Sequence, residues 1–513
     1  MFMEKLEDKT NVSYTEKGMK GYKTTKSKLL DLNFQVPSLR SASELDILKK
    51  FRGAFKENEE LAVKWLFFAR DVRGGMGERR LFRICFKWLA KQCPDKIKLL
   101  LTLVPEFGRW DDLIMLLEHR KELDKSVVNY IVGLIKSQLL SDSMQVQQGG
   151  YEISLMTKWL PSINSRDNKK REVAKFLCRS LNLSPKEYRK LLSSVRKQLN
   201  IVEIKMSENR WKDIEYSKVP SRAGMIYRNA FMKHDEDRYR DFIEKAKAGQ
   251  VKANSQVLYP YEILHSAGVR SYWGYDFLPE NFEVPDALWN NLPELNVENS
   301  TLVVADGSGS MTVPIGNTSI TAWEVAHSLA FYFSQYNQGE FKDRYISFGS
   351  NPELVDLSDC EGLYEKIEIA SQYSDYGSTN IQKVLQLILD TVVDYEMEPN
   401  ELPKTILIIS DMEFDEGGLK VSYGRNVTKQ LDNVFEQYQT LFSEYGYMMP
   451  KLVFWNVNSR TNTIPLKENE SGLILLSGFS PNVYKMVETG KLDPYEALVT
   501  VLCSERYQNV IWK

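Results

Sequence analysis

Residues 300–311 read STLVVADGSGSM, and this stretch decides our interpretation of the fold. An apolar run, LVVA, stops at Asp306, and Ser308 and Ser310 follow with glycines between them. A short apolar run that ends in a polar turn is typical of a buried strand in a parallel sheet. Ligands of open α/β sheets bind at the carboxyl ends of such strands. The stretch therefore predicts a ligand site, and the alternative is a Ser- and Gly-rich turn that binds nothing.

The residue types in this loop indicate which ligand the site would take. One carboxylate and two hydroxyls are hard oxygen donors, and the glycines between them permit a tight backbone path. The loop contains neither His nor Cys. A metal bound here would therefore be Mg²⁺, or Ca²⁺ or Mn²⁺, rather than Zn²⁺.

A second apolar run of the same kind supports this prediction. Residues 405–410 read TILIIS and are followed at once by Asp411. Between the two runs, Thr379 lies in the sequence GSTN, just before the helical pattern IQKVLQLILDTV. A threonine at the start of a helix can also be an N-cap and nothing more.

The chain beyond residue 300 alternates between strand and helix patterns. The predicted strands are 301–305, 344–348, 405–410, 451–457 and 472–477, and the predicted helices are 321–336, 378–395, 426–444 and 481–505. Strands that alternate with helices predict a doubly wound, mainly parallel, Rossmann-like sheet.

Five residues of this region resemble the metal-ion-dependent adhesion site of von Willebrand A domains: Asp306, Ser308, Ser310, Thr379 and Asp411. Their order along the chain and their places at strand ends match that motif. The resemblance implies that the three hydroxyl side chains bind Mg²⁺ (or Ca²⁺ or Mn²⁺) directly, and that the two aspartates bind it directly or through water. It also implies an open coordination position for an acidic group of a protein partner.

The first 300 residues have a different pattern. Residues 1–42 are polar and of mixed charge, which predicts an irregular N-terminal arm. Apolar residues at helical spacing dominate residues 43–270, which predicts an α-helical repeat domain of HEAT type. Aromatic, proline and acidic residues mark 271–299 as a connection, so the C-terminal α/β domain would occupy 300–513. The predicted fold class is thus α plus α/β.

Several motifs resemble the Ro autoantigen group, in which a TROVE-type helical domain precedes a von Willebrand A domain. They are closest to uncharacterised relatives of that group in bacteria, plants and large viruses. The motifs are RDVRGGMGERR at 70–80, GRWDDL at 108–113, YRK at 188–190, VPSRA at 219–223, FWNV at 454–457 and SGFS at 477–480. The resemblance to Ro implies that the helical part binds structured or single-stranded small RNA.

Composition and charge restrict the class of protein. Five cysteines are scattered without a Cys-x-x-Cys motif, which is typical of reduced thiols in a cytoplasmic protein. The charged N-terminus does not resemble a secretory signal, and no apolar run approaches the ~20 residues of a membrane span. Residues 1–300 hold 52 Lys and Arg against 40 Asp and Glu, a charge of +12, which leaves −14 for the rest. This division favours a polyanionic partner, although chance segregation explains it equally well.

Two basic groups are candidate contacts for RNA phosphates. The first is a Gly-rich turn that opens a helix and carries Arg73, Arg79 and Arg80. Alternatively, Arg70 and Arg73 pair with Asp71 and Glu78 and only brace the corner between two helices.

The second group lies on two consecutive amphipathic helices with basic outer faces. Between residues 166 and 197 there are 11 basic and 3 acidic residues. Such faces can follow a phosphate backbone without reading its sequence, or they can simply be solvated. The candidates are Lys169, Lys170, Arg171, Arg189, Lys190, Arg196 and Lys197.

The sequence does not favour an enzyme. It has four histidines, and His327 lies in a helical pattern that predicts packing rather than catalysis. A Gly-x-Ser-x-Gly elbow is absent, and GSGSMT lacks the lysine of a phosphate-binding loop. The acidic cluster Asp411, Glu413, Asp415 and Glu416 could hold a second metal for phosphoryl hydrolysis, but its composition favours a solvated loop.

Two functions fit these observations. The first is a non-catalytic RNA-binding scaffold, with a divalent cation that recruits an acidic group of a protein partner. The alternative is a protein–protein adaptor that uses the helical repeats and the metal site without nucleic acid. The charge division favours the first, whereas the absence of a recognisable RNA-binding motif leaves the second open.

Overall fold

The chain divides into two compact units in a computed structural model. The sheet unit comprises Met1–Asp46 and Asp241–Val501, and the helical unit comprises Ile47–Arg240 and Leu502–Lys513. The structure describes residues 2–150, 152–199, 201–271, 274–277, 282–297, 300–375, 377–415, 434–465 and 473–512.

The structure assigns helices and strands as follows. The helices are α1 (Phe2–Thr10), α2 (Lys28–Phe34), α3 (Val36–Leu39), α4 (Glu44–Glu57), α5 (Glu59–Arg70), α6 (Arg79–Gln92), α7 (Pro94–Leu101), α8 (Val104–Phe107), α9 (Trp110–Glu118), α10 (Lys125–Gln147), α11 (Met156–Trp159), α12 (Asn168–Ser180), α13 (Pro185–Gln198), α14 (Val202–Ser207), α15 (Ser221–His234), α16 (Glu236–Lys247), α17 (Pro260–Ala267), α18 (Glu283–Trp289), α19 (Ala322–Tyr336), α20 (Leu363–Gln372), α21 (Ile381–Asp394), α22 (Val434–Glu444), α23 (Lys485–Glu488) and α24 (Pro494–Leu502). The strands are β1 (Val12–Tyr14), β2 (Lys20–Tyr22), β3 (Gly268–Ser271), β4 (Gly274–Phe277), β5 (Thr301–Asp306), β6 (Arg344–Phe348), β7 (Pro352–Asp356), β8 (Thr405–Ser410), β9 (Lys451–Asn456) and β10 (Leu473–Ser477).

The helical unit is built from short helices that pack on their neighbours along the chain. Contacts run from α5 to α6, from α6 to α7 and from α7 to α10, and α13 packs on both α10 and α12. Ser184 caps the start of α13, because its hydroxyl accepts a hydrogen bond from the Glu187 amide at 3.2 Å. The fold class α plus α/β is confirmed.

The core of this unit beside the GRWDDL motif is aromatic. Phe67 meets Phe82, Phe86 and Phe107 at ring-centroid distances between 5.4 and 6.0 Å. These edge-to-face contacts bury large apolar surfaces, which is the main stabilising term in a helical core.

The sheet unit contains a six-stranded sheet in the order β10-β9-β8-β5-β6-β7. All neighbouring strands are parallel except β7, which runs antiparallel to β6 at the edge. Every residue of β5 and β8 is buried, as expected for central strands covered on both faces. The predicted strands agree with the structure to within one residue over the described part of the chain.

Some elements of the sheet unit differ from the predictions. The edge strand β7 and the helix α20 were not predicted. The PELVD sequence of β7 has no continuous apolar run, and only Val355 in it is buried. The helix predicted at 481–505 is interrupted and forms α23 and α24. The first part of the helix predicted at 426–444 lies outside the described residues, as does residue 472 of the last predicted strand.

Residues 1–42 do not form the irregular arm predicted from their polarity. They contain α1, α2, α3 and the β1–β2 hairpin, and α2 packs against β10. The Asn456 amide donates to the Phe34 carbonyl at 2.9 Å, and the Ser477 hydroxyl donates to the Asn33 carbonyl. Buried apolar residues of α2, such as Leu30 and Phe34, explain why this segment joins the sheet.

The compact units also differ from the predicted division at residues 43 and 270. Residues 241–270 belong to the sheet unit, where α17 packs on α18 and α19. In the described part of the chain, no helix combines the length and apolar character needed to cross a membrane.

Candidate metal centre

The five oxygen-bearing residues predicted to bind a cation lie at the carboxyl edge of the sheet. Asp306 ends β5, and Asp411 follows the end of β8. Because β5 and β8 are parallel neighbours, with Ala305 opposite Ile409, both strands end at the same edge. Side chains that are 105 positions apart in the chain are thereby brought together.

Three hydroxyls lie next to one another in this site. Ser308 Oγ is 3.0 Å from Ser310 Oγ, and Thr379 Oγ1 donates to Ser308 Oγ at 3.0 Å. The loop that carries Thr379 is fixed by a hydrogen bond from the Gly309 amide to the Gly377 carbonyl at 3.2 Å. Ser308 and Thr379 are fully buried, and Ser310 is half-buried.

Thr379 is not the N-cap of the helix that follows it. Asn380 caps α21, because its side-chain oxygen accepts a hydrogen bond from the Lys383 amide at 3.2 Å. The capping interpretation of Thr379 is therefore wrong, and its hydroxyl faces Ser308 instead.

Two buried carboxylates complete the site. Asp306 accepts hydrogen bonds from the Ser308 amide at 3.0 Å and the Ser410 hydroxyl at 2.6 Å. Burial, together with the neighbouring Asp411 carboxylate, raises the pKa of Asp306 to about 7. Burial also raises the pKa of Asp411. Ionising both carboxylates therefore costs free energy, and a nearby positive charge would lower that cost.

One oxygen of Asp411 has no hydrogen-bond donor. Its Oδ1 accepts from the Glu413 amide at 3.1 Å, whereas Oδ2 accepts no hydrogen bond from any residue that the structure describes. The nearest cation to Oδ2 is Arg460, with Nη1 at 3.4 Å. This buried oxygen is therefore balanced by an ion pair with Arg460 but receives no hydrogen bond from a described residue, which leaves a lone pair that could bind a ligand.

The donor set fits a hard divalent cation. Octahedral Mg²⁺ with bonds of 2.0–2.1 Å has adjacent ligand oxygens about 3.0 Å apart, which matches the two hydroxyl–hydroxyl separations. Among the described residues, no group of three or more His, Cys, Asp or Glu is placed to hold a metal ion. A cation at this edge would therefore depend on the hydroxyls as well as on Asp306 and Asp411.

The neighbouring acidic residues do not form the solvated loop that their composition favours. Glu413 is fully buried, and its carboxylate accepts hydrogen bonds from the amides of Arg460 and Thr461, both at 2.8 Å. It also accepts from the Glu16 amide at 3.0 Å. Glu413 therefore connects the segments around residues 16 and 460. Of the described members of the acidic cluster, only Asp415 is partly exposed. Glu416 lies outside the described residues.

Two basic side chains, which the sequence did not indicate, lie beside the site. Lys17 Nζ donates to Thr379 Oγ1 at 2.7 Å, and it lies 3.7 Å from an oxygen of Asp415. Arg460 joins Asp411 to Glu16, with 2.9 Å between its Nη2 and a Glu16 oxygen.

The Gly-rich turn proposed as a phosphate site is braced internally. Arg70 is buried and donates to Asp112 from Nε at 2.8 Å and from Nη2 at 2.6 Å. Asp71 accepts from Arg506 Nη2 at 2.8 Å. The corner is thus braced, but the partners differ from the pairing of Arg70 and Arg73 with Asp71 and Glu78 that the sequence suggested.

The three predicted RNA contacts of this turn remain at the surface. Arg73, Arg79 and Arg80 have exposed side chains, and Arg79 Nη2 lies 3.3 Å from an oxygen of Asp111. Gly75 must be glycine here, since an added Cβ would lie 1.9 Å from the Phe68 carbonyl oxygen. Gly75 therefore allows the close approach of the turn to α5.

The seven candidates on α12 and α13 fall into two sets. Arg196 donates to the carbonyls of Thr157 at 2.8 Å and Leu160 at 2.6 Å, and Arg171 donates to the Ser165 carbonyl at 2.8 Å. These two guanidiniums brace the turn before α12. The exposed set is Lys169, Lys170, Arg189, Lys190 and Lys197.

An open groove lies beside this exposed set. It has a volume of about 450 Å³, and Arg189, Arg196 and Lys197 line one side of it. Ser162, Ser193 and Ser207 add hydroxyl groups. Glu208 and the apolar side chains of Ile163, Leu192 and Ile204 also line the groove, so basic, acidic and apolar groups are mixed in it.

Residues 15–130 and 121–294 match the family described as "Domain of unknown function (DUF2828)". The two segments together cover more than half of the chain. The chain belongs to this family. Residues 300–508 match a second family, described as "Domain of unknown function (DUF7788)".

Two further proteins are similar to this member of the DUF2828 family. "Uncharacterized protein L728" of Acanthamoeba polyphaga mimivirus is 28% identical over 522 residues, covering 96% of this chain and 87% of that protein. The crystal structure of the Ro (RSR) protein of Deinococcus radiodurans covers 93% of this chain and 99% of its own, with 14% identity and a TM-score of 0.42.

The sequence did not indicate three residues at the site of this DUF2828 member: Lys17, Ser410 and Arg460. Ser410 directly precedes Asp411, so the strand-end rule that selected Asp411 could have included it. The composition around Glu413 favours a solvated loop, whereas its side chain is fully buried in the structure. Lys17 and Arg460 have no local signal, because only the fold brings them to Thr379 and Asp411.

Proposed function

We propose that this protein is a non-catalytic RNA-binding scaffold whose C-terminal sheet edge holds a divalent cation. The observation that carries the cation site is the convergence of three hydroxyls and two buried carboxylates, with one Asp411 oxygen left without a hydrogen-bond donor. Ser308, Ser310 and Thr379 would bind Mg²⁺, Ca²⁺ or Mn²⁺ directly, and Asp306 and Asp411 would bind it directly or through water.

The bound cation would offer a coordination position to an acidic group of a protein partner. Carboxylates are preferred ligands of hard divalent cations, so an Asp or Glu of the partner suits this position. The charge of the cation would also stabilise the two buried carboxylates, whose pKa values burial raises. This function resembles that of a von Willebrand A domain with its metal-ion-dependent adhesion site.

RNA would bind to the basic faces of the helical unit. Exposed Lys169, Lys170, Arg189, Lys190 and Lys197 lie on α12 and α13, which pack on each other. Long basic side chains on one pair of helices suit phosphates, without selecting a base sequence. Small RNA is the class of polyanion that the motif resemblance to the Ro group implies.

A charge-reversal experiment tests RNA binding. The triple variant Lys169→Glu, Lys170→Glu, Lys190→Glu is expected to bind a fluorescent small hairpin RNA at least tenfold more weakly, measured by fluorescence anisotropy. The unaltered protein is expected to lose affinity with salt, with a log–log slope of roughly −0.7 to −0.9 per phosphate neutralised. The matched control, Lys49→Glu, Lys50→Glu, Lys56→Glu, changes three exposed lysines of α4 instead.

Equal affinity of the triple variant and its control would contradict the proposed RNA surface. A protein that binds no RNA at low salt would favour the protein–protein adaptor instead. One observation supports that alternative: the guanidiniums of Arg171 and Arg196 are already engaged with backbone carbonyls.

A further inference from the structure

The turn between β1 and β2 lies over the candidate metal centre. Thr15 Oγ1 donates to the Phe414 carbonyl at 2.6 Å, and Gly18 forms an isolated antiparallel bridge with Asp415. At the end of the hairpin, Tyr22 and Ile464 exchange two backbone hydrogen bonds of 2.8 and 2.9 Å. The turn is therefore fixed at several points to the loops that carry the site.

Lys17 is the residue of this turn that reaches the predicted ligands. Its ammonium group donates to Thr379 Oγ1 at 2.7 Å, and that oxygen is itself 3.0 Å from Ser308 Oγ. The Lys17 side chain is 29% exposed, so its charge is partly withdrawn from water. One of the two lone pairs of Thr379 Oγ1, an oxygen predicted to bind the metal ion, thus accepts a hydrogen bond from an ammonium group.

We propose that Lys17 is a tethered cation that covers the divalent-cation site. This inference rests on the cation site of the proposed function. Without metal, the ammonium places a positive charge beside the site that contains Asp306 and Asp411. When a divalent cation binds, the two positive charges repel, and the Lys17 side chain moves away from Thr379.

The same movement would open the position where a partner binds. The ammonium lies 2.7 Å from Thr379 Oγ1 and 3.7 Å from a carboxylate oxygen of Asp415, which is partly exposed. An acidic group that approaches the metal would therefore meet Lys17. The lysine raises the cation concentration that is needed before the site accepts an acidic partner. It does so from a segment that lies 289 positions before Asp306 and 362 positions before Thr379 in the chain.

The anchors of the turn allow this movement without unfolding the hairpin. Thr15, Glu16 and Gly18 hold the turn by contacts in which the Lys17 side chain takes no part. The four-carbon side chain of a lysine can rotate into solvent while its backbone stays in place.

Calorimetric titration of Mn²⁺ into the metal-free protein tests the proposal. Lys17→Met is expected to bind Mn²⁺ at least tenfold more tightly than the unaltered chain. The matched control, Lys23→Met, removes another lysine of the same segment, whose ammonium bonds to the Thr10 carbonyl, and should leave the affinity unchanged. Adding Asp411→Asn to Lys17→Met should abolish the gain, which assigns the bound Mn²⁺ to this site.

A second readout follows the lysine itself. Acetylation of Lys17 by a soluble ester, measured by mass spectrometry, is expected to rise several-fold when Mn²⁺ is added, while acetylation of Lys23 stays constant. Equal Mn²⁺ affinity of Lys17→Met and the unaltered chain, or unchanged Lys17 acetylation, would overturn the covering role and leave the cation site standing. Absence of Mn²⁺ binding in every variant would overturn the cation site as well.

Discussion

A single buried carboxylate organises the loops around the candidate metal centre. Glu413 is fully buried and accepts hydrogen bonds from three backbone amides, those of Glu16, Arg460 and Thr461. Hydrogen bonds to an ionised acceptor are about twice as strong as those between neutral groups. Glu413 therefore fixes the turn that carries Lys17 and the loop that carries Arg460 relative to Asp411.

Replacing Glu413 by Gln should destabilise the sheet unit. The amide side chain has one acceptor oxygen instead of two, and its NH₂ group would face backbone donors. We expect a loss of about 2–3 kcal/mol in the free energy of unfolding, measured by urea denaturation. Glu353→Gln, on the exposed face of β7, is the matched control, with an expected change within about 0.5 kcal/mol. Equal stability of both variants would contradict the role of Glu413.

The sequence could predict the site residues that lie at the ends of strands. It could not predict the site residues that come from distant turns. Asp306 and Asp411 follow apolar runs, so their positions at one sheet edge could be predicted. Lys17 lies in a polar segment that gives no reason to place it near Thr379, 362 positions away. Arg460 likewise reaches Asp411 only because parallel strands β8 and β9 end together.

At the scale of elements, the corner between α5 and α6 shows that arginines of a basic motif can stabilise the fold instead of binding a ligand. Arg70 and Asp112 form a buried pair with two hydrogen bonds, and Arg83 Nε donates to the other Asp112 oxygen at 2.6 Å. Gly75 allows the turn to approach Phe68 closely. The RDVRGGMGERR motif therefore divides into buried residues that hold the corner and arginines whose side chains are exposed.

A pair of matched substitutions separates these two sets. Arg70→Met leaves Asp112 partly unpaired in the core and should lower the free energy of unfolding of the helical unit by about 3 kcal/mol. Arg73→Met changes an exposed side chain of the same motif and should alter stability by less than about 0.5 kcal/mol. Chemical denaturation followed by circular dichroism measures both values. Similar losses in the two variants would show that Arg70 does not brace the corner.

The spacing of apolar residues predicted the strands that have a continuous apolar run. It missed the strand in which exposed and buried residues are mixed. β6 and β8 begin and end where the sequence placed them, because short apolar runs between polar residues mark buried strands. The edge strand β7 has only one fully buried residue, Val355, so its pattern resembles a loop. Partners in the sheet, rather than local sequence, make it a strand.

For the whole molecule, each compact unit is built from two separate stretches of the chain, so the order of segments does not show which segments belong together. Residues 1–46 belong to the sheet unit, although more than 200 residues of helical sequence separate them from β5. Their polarity suggested an arm, whereas the apolar residues of α2 pack on β10. This arrangement also brings Lys17 to Thr379 in the candidate metal centre, which no pattern within either segment could reveal.

The central claim is that side chains from β5, β8 and the loop before α21 bind one divalent cation. The most direct measurement is an anomalous difference map from crystals grown with excess Mn²⁺, both of the unaltered chain and of Lys17→Met. We predict one peak about 2–2.5 Å from the hydroxyl oxygens of Ser308 and Ser310. A map without a peak there in either crystal, with Asp306 and Asp411 in the positions described above, would contradict the claim.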